Sequence, residues 1–217
     1  MPSASSNSLS PDEARRHALR DSYAVLDGSP EQAYDDIVLL ASTLCNAQSA
    51  AIFMLDRGRQ WSKAQIGVDY LRCPRAQALC DAAIANPMQM LVVDDVVKDP
   101  RFAATAIGIG QAPLRFFAGV PLLSADAYPL GVLCVMDVTT PQLNVQQRAG
   151  LKALARQTLH LFELRRYASE SRRLLSEREA ITQRLEQVRA ELEKHHKASQ
   201  QDGQLRAAMI DLAPLSR

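Results

Sequence analysis

The spacing of hydrophobic positions along this 217-residue chain changes several times, and each change predicts an element. Ser29-Pro30-Glu31-Gln32 joins a hydroxyl cap, a first-turn proline and a third-position glutamine, which predicts a helix start. Beyond it Tyr34, Ile37, Val38, Ala41 and Leu44 recur at steps of three and four, so this helix should lay one face on a core that it reaches through Cys45. Ser10-Pro11-Asp12-Glu13 repeats the start chemistry and predicts an earlier helix. Ala50 to Leu55 is short and continuously apolar, the pattern of a strand covered on both faces. Asp56-Arg57-Gly58 supplies a turn, and Arg59 to Ile66 returns as a partly polar strand, completing a first hairpin.

The middle of the chain is less regular. Pro74 to Ala85 predicts a short helix through Ala76, Leu79, Cys80 and Ala83, stopped by Asn86-Pro87. Met90 to Val93 predicts a brief strand, Asp94 to Phe102 a loop or one-turn helices, and Ala103 to Pro113, with Gly108 and Gly110, a flexible segment. Two apolar runs then flank a small polar loop: RFFAGVPL and GVLCVMD, within Arg115 to Asp137, predict a closing hairpin. Alternation sends the adjacent rings of Phe116 and Phe117 to opposite faces. Gly119 and Gly131 inside these strands mark close approach of another backbone or of a ligand.

From Asn144, a cap with Gln147 at the third position, the chain runs to about Gln201 without an internal proline, which predicts one long helix. Leu151, Leu154, Thr158, Leu161 and Ala168 form a stripe suited to packing on the domain and on a partner. Leu174, Ile181 and Val188 then repeat every seven residues, with Leu185 and Leu192 between them and charged flanks, which predicts a coiled coil. Its seam is imperfect, because Arg178 holds a core position and the stripe shifts near Leu174-Leu175. An uncovered apolar seam of this length predicts self-association through Leu151, Leu154, Leu161, Ile181, Leu185, Val188 and Leu192. The expected organisation is a disordered stretch over 1–10, a domain over 11–166, a coiled-coil extension over 167–201 and a tail over 202–217.

Composition adds mostly exclusions. The 47% hydrophobic content supports one good core, and a formal net charge of +1 gives no electrostatic reason to expect nucleic acid or an anionic membrane as partner. No apolar run reaches the length of a membrane span and the N-terminus has no signal-peptide core, so the expected location is cytoplasmic. Cys45, Cys73, Cys80 and Cys134 include no CxxC pair, which predicts reduced thiols rather than disulfides or a metal site.

The succession RQWSKAQIGVD, LVVDDVVKDPRF, RFFAGVPL and GVLCVMD resembles a GAF domain, with the segments in that family's order from about Leu19 to Leu164. The resemblance implies an α+β fold: a central antiparallel sheet of about six strands, helices from the chain ends on one face, and a small-molecule pocket on the other under the irregular middle segment. It also implies parallel dimers through the terminal helices and a sensory, non-enzymatic role with no catalytic residue. RFFAGVPL and GVLCVMD would then be the pocket floor.

The candidate ligand-binding residues are Trp61, Cys80, Asp94, Phe102, Phe116, Phe117 and Cys134, each of which has a plain packing or turn-capping alternative. Arg101 is expected to pin its loop by pairing with Asp99 or Asp95. The Asn-Lys and downstream Phe-x-x-x-Asp-Glu residues of cyclic-nucleotide binders are not found. Histidines occur only at 17, 160, 195 and 196, all on terminal helices, so neither haem nor bilin is expected and no cofactor is predicted. The expected partners are an unknown small molecule, a second copy of the chain and, for output, a separate signalling protein. One alternative is a thiol enzyme like the free methionine sulfoxide reductases, using Cys73 and Cys80 with Arg72 or Arg75 nearby. The other is a ligand-free dimerisation module.

Overall fold

The computed structural model describes Tyr23 and residues 30–56, 59–67, 77–103, 108–109 and 112–212. The helix expected from Ser10, the cap at Ser29, and Arg72, Cys73 and Arg75 lie outside these residues. The chain divides into two compact units, one ending at Arg166 and one beginning at Tyr167.

In the first unit, helix α1 (Gln32–Cys45) buries Tyr34, Ile37, Val38, Ala41 and Cys45. Leu44, expected on that face, is 40% exposed. It lies over Gly150, where a β-carbon would come within 2.4 Å of a Leu44 methyl, so the glycine sets how closely the two helices approach. The N-cap is Glu31, which makes no side-chain cap bond. Its carboxylate turns instead to Lys63 at 3.1 Å and Arg165 at 3.6 Å, charged partners that outcompete local capping.

Strands β1 (Ser49–Asp56) and β2 (Arg59–Ile66) form the first hairpin. Helix α2 (Gln77–Ala85) buries Leu79, Cys80 and Ala83 and is followed by β3 (Leu91–Val93). The segment read as flexible contains a two-residue antiparallel pairing of β4 (Gly108–Ile109) with β5 (Ala112–Pro113). The closing hairpin is β6 (Phe116–Leu123) and β7 (Pro129–Asp137). Together β2-β1-β7-β6-β3 make one antiparallel sheet, so the central sheet has five strands among the described residues where about six were expected.

Alternation divides the interior in two. Ala50, Ile52, Met54, Phe116, Ala118, Leu133 and Val135 face a cluster completed by α1 and by Leu151, Ala155 and Phe162 of α3 (Val145–Leu212). Ala51, Phe53, Phe117, Val132, Cys134 and Met136 face a second cluster completed by α2, Val93, Val96, Phe102 and Leu114. Phe116 and Phe117 therefore point to opposite faces, as strand geometry requires. Gly131 is a site of close approach: a β-carbon there would fall 2.0 Å from the Phe53 carbonyl oxygen. At Gly119 the neighbour is the chain's own Phe117 ring, 2.8 Å from where a β-carbon would sit, so that ring occupies the space read as room for a ligand.

Asn144 caps α3 reciprocally: its Oδ1 accepts from the Gln147 N–H and its own N–H donates to Gln147 Oε1, both at 2.9 Å. The helix continues past Gln201 to Leu212, 68 residues in all. One glycine, Gly203, costs a helix only about 1 kcal/mol and does not end it. In the second unit Leu174, Ile181, Leu185, Val188 and Leu192 are 41% to 65% exposed, while Arg173–Glu177 and Arg189–Glu193 pair along the helix surface. Leu151, expected in the dimer seam, is fully buried in the first unit's own core, and Leu154 and Leu161 pack against that core. This part of the stripe therefore serves intramolecular packing first.

Candidate functional site

The site is built on β2, an edge strand whose two faces differ. Its register against β1 shifts between Ile52 and Phe53, where Ile52 pairs with Ala64 and Phe53 with Ser62. The extra residue is Lys63, and such a bulge lets neighbouring side chains be re-aimed. Lys63 turns to the α1/α3 face, buried, with its Nζ 5.0 Å from the Tyr34 ring centre and bonded to Glu31. Gln60, Ser62 and Gln65, which oppose Leu55, Phe53 and Ala51, belong to the other face.

That face carries unsatisfied polar atoms. Ser49 Oγ, Gln60 Oε1 and Gln65 Oε1 are buried and have no hydrogen-bond partner among the described residues. Ser49 itself is 0% exposed. Ser49 and Ala51 are two apart on β1, and Gln65 opposes Ala51, so the Ser49 and Gln65 side chains emerge at the same end of the face. Gln60 stands at the far end, opposite Leu55, its amide within hydrogen-bonding reach of the Cys80 thiol. Helix α2 packs on β6 and β7, leaving the β1/β2 part of this face beside it. Trp61 Nε1 and Arg165 Nε are also without a hydrogen bond, but Arg165 has the Glu31 carboxylate at 3.6 Å, and Trp61 packs toward the opposite cluster.

Of the residues read as ligand contacts, Cys80, Phe102, Phe117 and Cys134 come together in the second cluster. Phe116 and Trp61 do not join them. Trp61 opposes Met54 and shares the helix-covered face, because its register position has that parity. Asp94 is exposed. Burial, with Cys134 and Asp81 nearby, pushes the Cys80 thiol well above its ordinary range, and the Gln60 amide offsets part of this. Burial likewise raises Cys134, whose Sγ lies 3.6 Å from the Ala51 carbonyl oxygen. Cys45, on the other side, is pushed up to about 11 by burial. All three are free thiols.

Among the described residues, Arg115, Arg101 and Lys98 beside this face are each engaged by a carboxylate. Arg115 Nε donates to Asp95 Oδ1 at 2.8 Å and its Nη2 to Oδ2, and this bond holds the Asp95 carboxyl below its usual range. Arg101 pairs bidentately with Asp99, as anticipated from its loop. Lys98 reaches Asp95 at 3.7 Å. Asp137, at the end of β7, accepts from Gln48 N–H at 2.8 Å and from the Thr139 N–H and hydroxyl, both at 2.7 Å. Burial raises its pKa, but these donors outweigh burial and keep the carboxyl below its ordinary value.

The sequence reading missed Ser49, Gln60, Gln65 and Asp137. The polar alternation of Gln60, Ser62 and Gln65 was visible, but in an edge strand such residues ordinarily face water. Nothing in a linear pattern distinguishes that from a polar row inside a covered face. Among the described residues no group of three or more His, Cys, Asp or Glu side chains is placed to hold a metal ion, and no helix is long and apolar enough to cross a membrane.

A family model described as the GAF domain matches residues 29–158. A cyclic di-GMP phosphodiesterase of Pseudomonas aeruginosa is 35% identical over 126 residues, 58% of this chain, and the chain spans only 21% of that protein's length. Among solved structures, the GAF domain of an Acinetobacter phosphoenolpyruvate-protein phosphotransferase aligns with a TM-score of 0.51 at 18% identity, covering 71% of this chain and 95% of that one. The free methionine-R-sulfoxide reductase of Neisseria meningitidis, in complex with its substrate, aligns with a TM-score of 0.52 at 21% identity, covering 74% and 96%. At these identities the structural likenesses show the fold alone. Sheet order, helix placement and the family match agree: the chain belongs to the GAF domain family, whose members occur in signalling proteins.

Proposed function

We propose that this GAF domain is a non-enzymatic sensory module of bacterial signal transduction. It binds a small molecule on the face bearing Ser49, Gln60 and Gln65 and passes occupancy to the long C-terminal helix, which pairs with a second copy and acts on a separate output protein in the cytoplasm. The observation that carries the reading is the trio of unsatisfied polar atoms on one sheet face, since buried polar groups are nearly always paired. The exposed heptad residues from Leu174 to Leu192 support the pairing. The likeness to part of a cyclic di-GMP phosphodiesterase supports a regulatory segment in a signalling protein.

Native mass spectrometry of the protein purified from its own host, followed by denaturing release, tests the reading: a retained small molecule is expected. Protein that carries none, and gains none from a host metabolite extract, would leave a ligand-free dimerisation module.

The fold shared with a free methionine-R-sulfoxide reductase favours a second, enzymatic reading. Against it stands Cys80, shut away from solvent with its thiol pKa raised, the reverse of what nucleophilic sulfur requires. Free methionine-R-sulfoxide and a thiol reductant decide the point. No turnover is expected from the wild type; turnover that disappears in Cys73→Ser with Cys80→Ser would replace the sensory reading.

A further inference from the structure

We infer that Glu31 is a shared clasp: its carboxylate holds both the bulged edge strand β2, through Lys63, and the last turn of α3 within the first unit, through Arg165, so that strand and helix exit cannot loosen independently. The clasp deepens the sensory reading above by naming a route from sheet to helix. It involves no ligand, so its failure would leave that reading standing.

The strand supplies one arm. Lys63 is the extra residue of the bulge, and its side chain is 2% exposed. A cation taken this far out of water requires a counter-charge. Glu31 Oε1 accepts from its Nζ at 3.1 Å, and the Tyr34 ring centre lies 5.0 Å from the same atom.

The helix supplies the other. Arg165 Nε is buried, makes no hydrogen bond among the described residues and stands 3.6 Å from that same Glu31 oxygen. Its neighbours on the turn are also held from earlier parts of the chain. The Phe162 ring packs on Tyr34 with centres 5.5 Å apart, Glu163 accepts from the Tyr23 hydroxyl, and the Arg166 guanidinium lies 5.4 Å from the Tyr23 ring centre. Lys63 therefore reaches this turn twice, by charge through Glu31 and by ring contact through Tyr34.

Glu31 is free for this role. It is the N-cap of α1 yet makes no side-chain cap bond, while its backbone carbonyl accepts from the Tyr34 and Asp35 N–H groups. Changing the side chain thus removes the clasp and leaves the helix start its backbone bonds. The pairs further along α3, Arg173–Glu177 and Arg189–Glu193, are exposed and join residues four apart, so they link only neighbouring turns of the helix itself. Coupling between two sites is reciprocal, so a single substitution at Glu31 should show at both.

Amide hydrogen exchange of the full chain under native conditions, read peptide by peptide, tests this. Glu31→Gln is expected to speed exchange about threefold or more in both β2 and the turn over 162–166, with β7 at the sheet's centre changed by less than about twofold. Speeding in only one of the two segments, in neither, or equally in β7 would overturn the inference, the last because a general loss of stability explains it. Glu31→Gln with Lys63→Met removes the buried cation together with its counter-charge, and it keeps the test open where the single variant does not fold. In the double variant β2 should return to within about twofold of wild type while the 162–166 turn stays fast, since Arg165 still lacks its carboxylate. Recovery of both segments, or of neither, would overturn the clasp.

Discussion

The two faces of the sheet are made from the same strands and nearly the same apolar residue types, yet they handle polar groups differently. On the face covered by α1 and α3, the buried Lys63 cation meets Glu31 and the Tyr34 ring, and the Tyr34 hydroxyl, whose pKa burial pushes up to about 12, stays neutral. Near the exit of α3 from the domain, Tyr23 donates to Glu163 while Arg166 grips the same carboxylate. On the face beside α2, the polar row of β2 ends in unpaired oxygens. Among the described residues, the buried side-chain atoms without a hydrogen bond are Ser49 Oγ, Gln60 Oε1 and Gln65 Oε1 on this face, and Trp61 Nε1 and Arg165 Nε on the other side. The two faces differ in their polar chemistry rather than in apolar content, because both clusters are equally well buried.

The largest effect should come from breaking both faces at once. Gly131→Val places a side chain against the Phe53 carbonyl oxygen, where even a β-carbon would stand 2.0 Å away, and β1 and β7 cannot both keep their places. A loss above about 4 kcal/mol is expected. It would be seen as the absence of a cooperative thermal transition, whereas a folded variant with near-normal stability would show the central pair to be deformable.

Next come the two rings. Phe116 is 0% and Phe117 1% exposed, so Phe116→Ala and Phe117→Ala should each cost roughly 3 to 5 kcal/mol in denaturant unfolding. The simple sequence argument assigns a smaller loss to the ring on the ligand side; equal burial removes that difference. A much smaller loss at Phe117 would mean that its ring closes over space rather than over packed atoms.

Asp137 links the end of β7 to Gln48, next to the start of β1, and removing it strands donors from Gln48 and Thr139. Asp137→Ala should cost about 2 to 3 kcal/mol. Because the folded carboxyl lies below its ordinary value of about 3.9, its contribution is full above that pH and is lost as pH falls through the folded pKa. Unfolding measured between about pH 5 and pH 2 should therefore fall less steeply in Asp137→Asn than in the wild type. Identical slopes would remove Asp137 from the acid response.

The smallest effect on domain stability belongs to the second unit. Leu185→Asp with Val188→Asp alters only exposed positions, so the domain's melting should stay within about 0.5 kcal/mol of wild type. Self-association should weaken, because burying the introduced carboxylates in a helix seam requires desolvating them. Sedimentation across a concentration series measures this, and an unchanged profile would sever the helix from assembly.

Much of the architecture was legible because it is local. The boundaries of β2 at Arg59 and Ile66, the opposite facing of Phe116 and Phe117, and the Asn144–Gln147 cap each depend on neighbours a few residues away. The α1 cap was misread because its glutamate is claimed from far off in the chain, by Lys63 and Arg165. For Leu151 the stripe left two coverings open, the domain and a partner, and the domain core covers it.

The sequence by itself determined the order of the main elements, the alternation that divides the strands into two faces, and the heptads of the last helix, since periodicity is written into backbone geometry. Tertiary structure alone decided which face each helix covers, where the bulge turns Lys63, and that Ser49 Oγ, Gln60 Oε1 and Gln65 Oε1 are covered without a hydrogen-bond partner among the described residues. Whether a polar group is satisfied depends on what the rest of the fold brings within about 3 Å of it, and no linear pattern contains that distance.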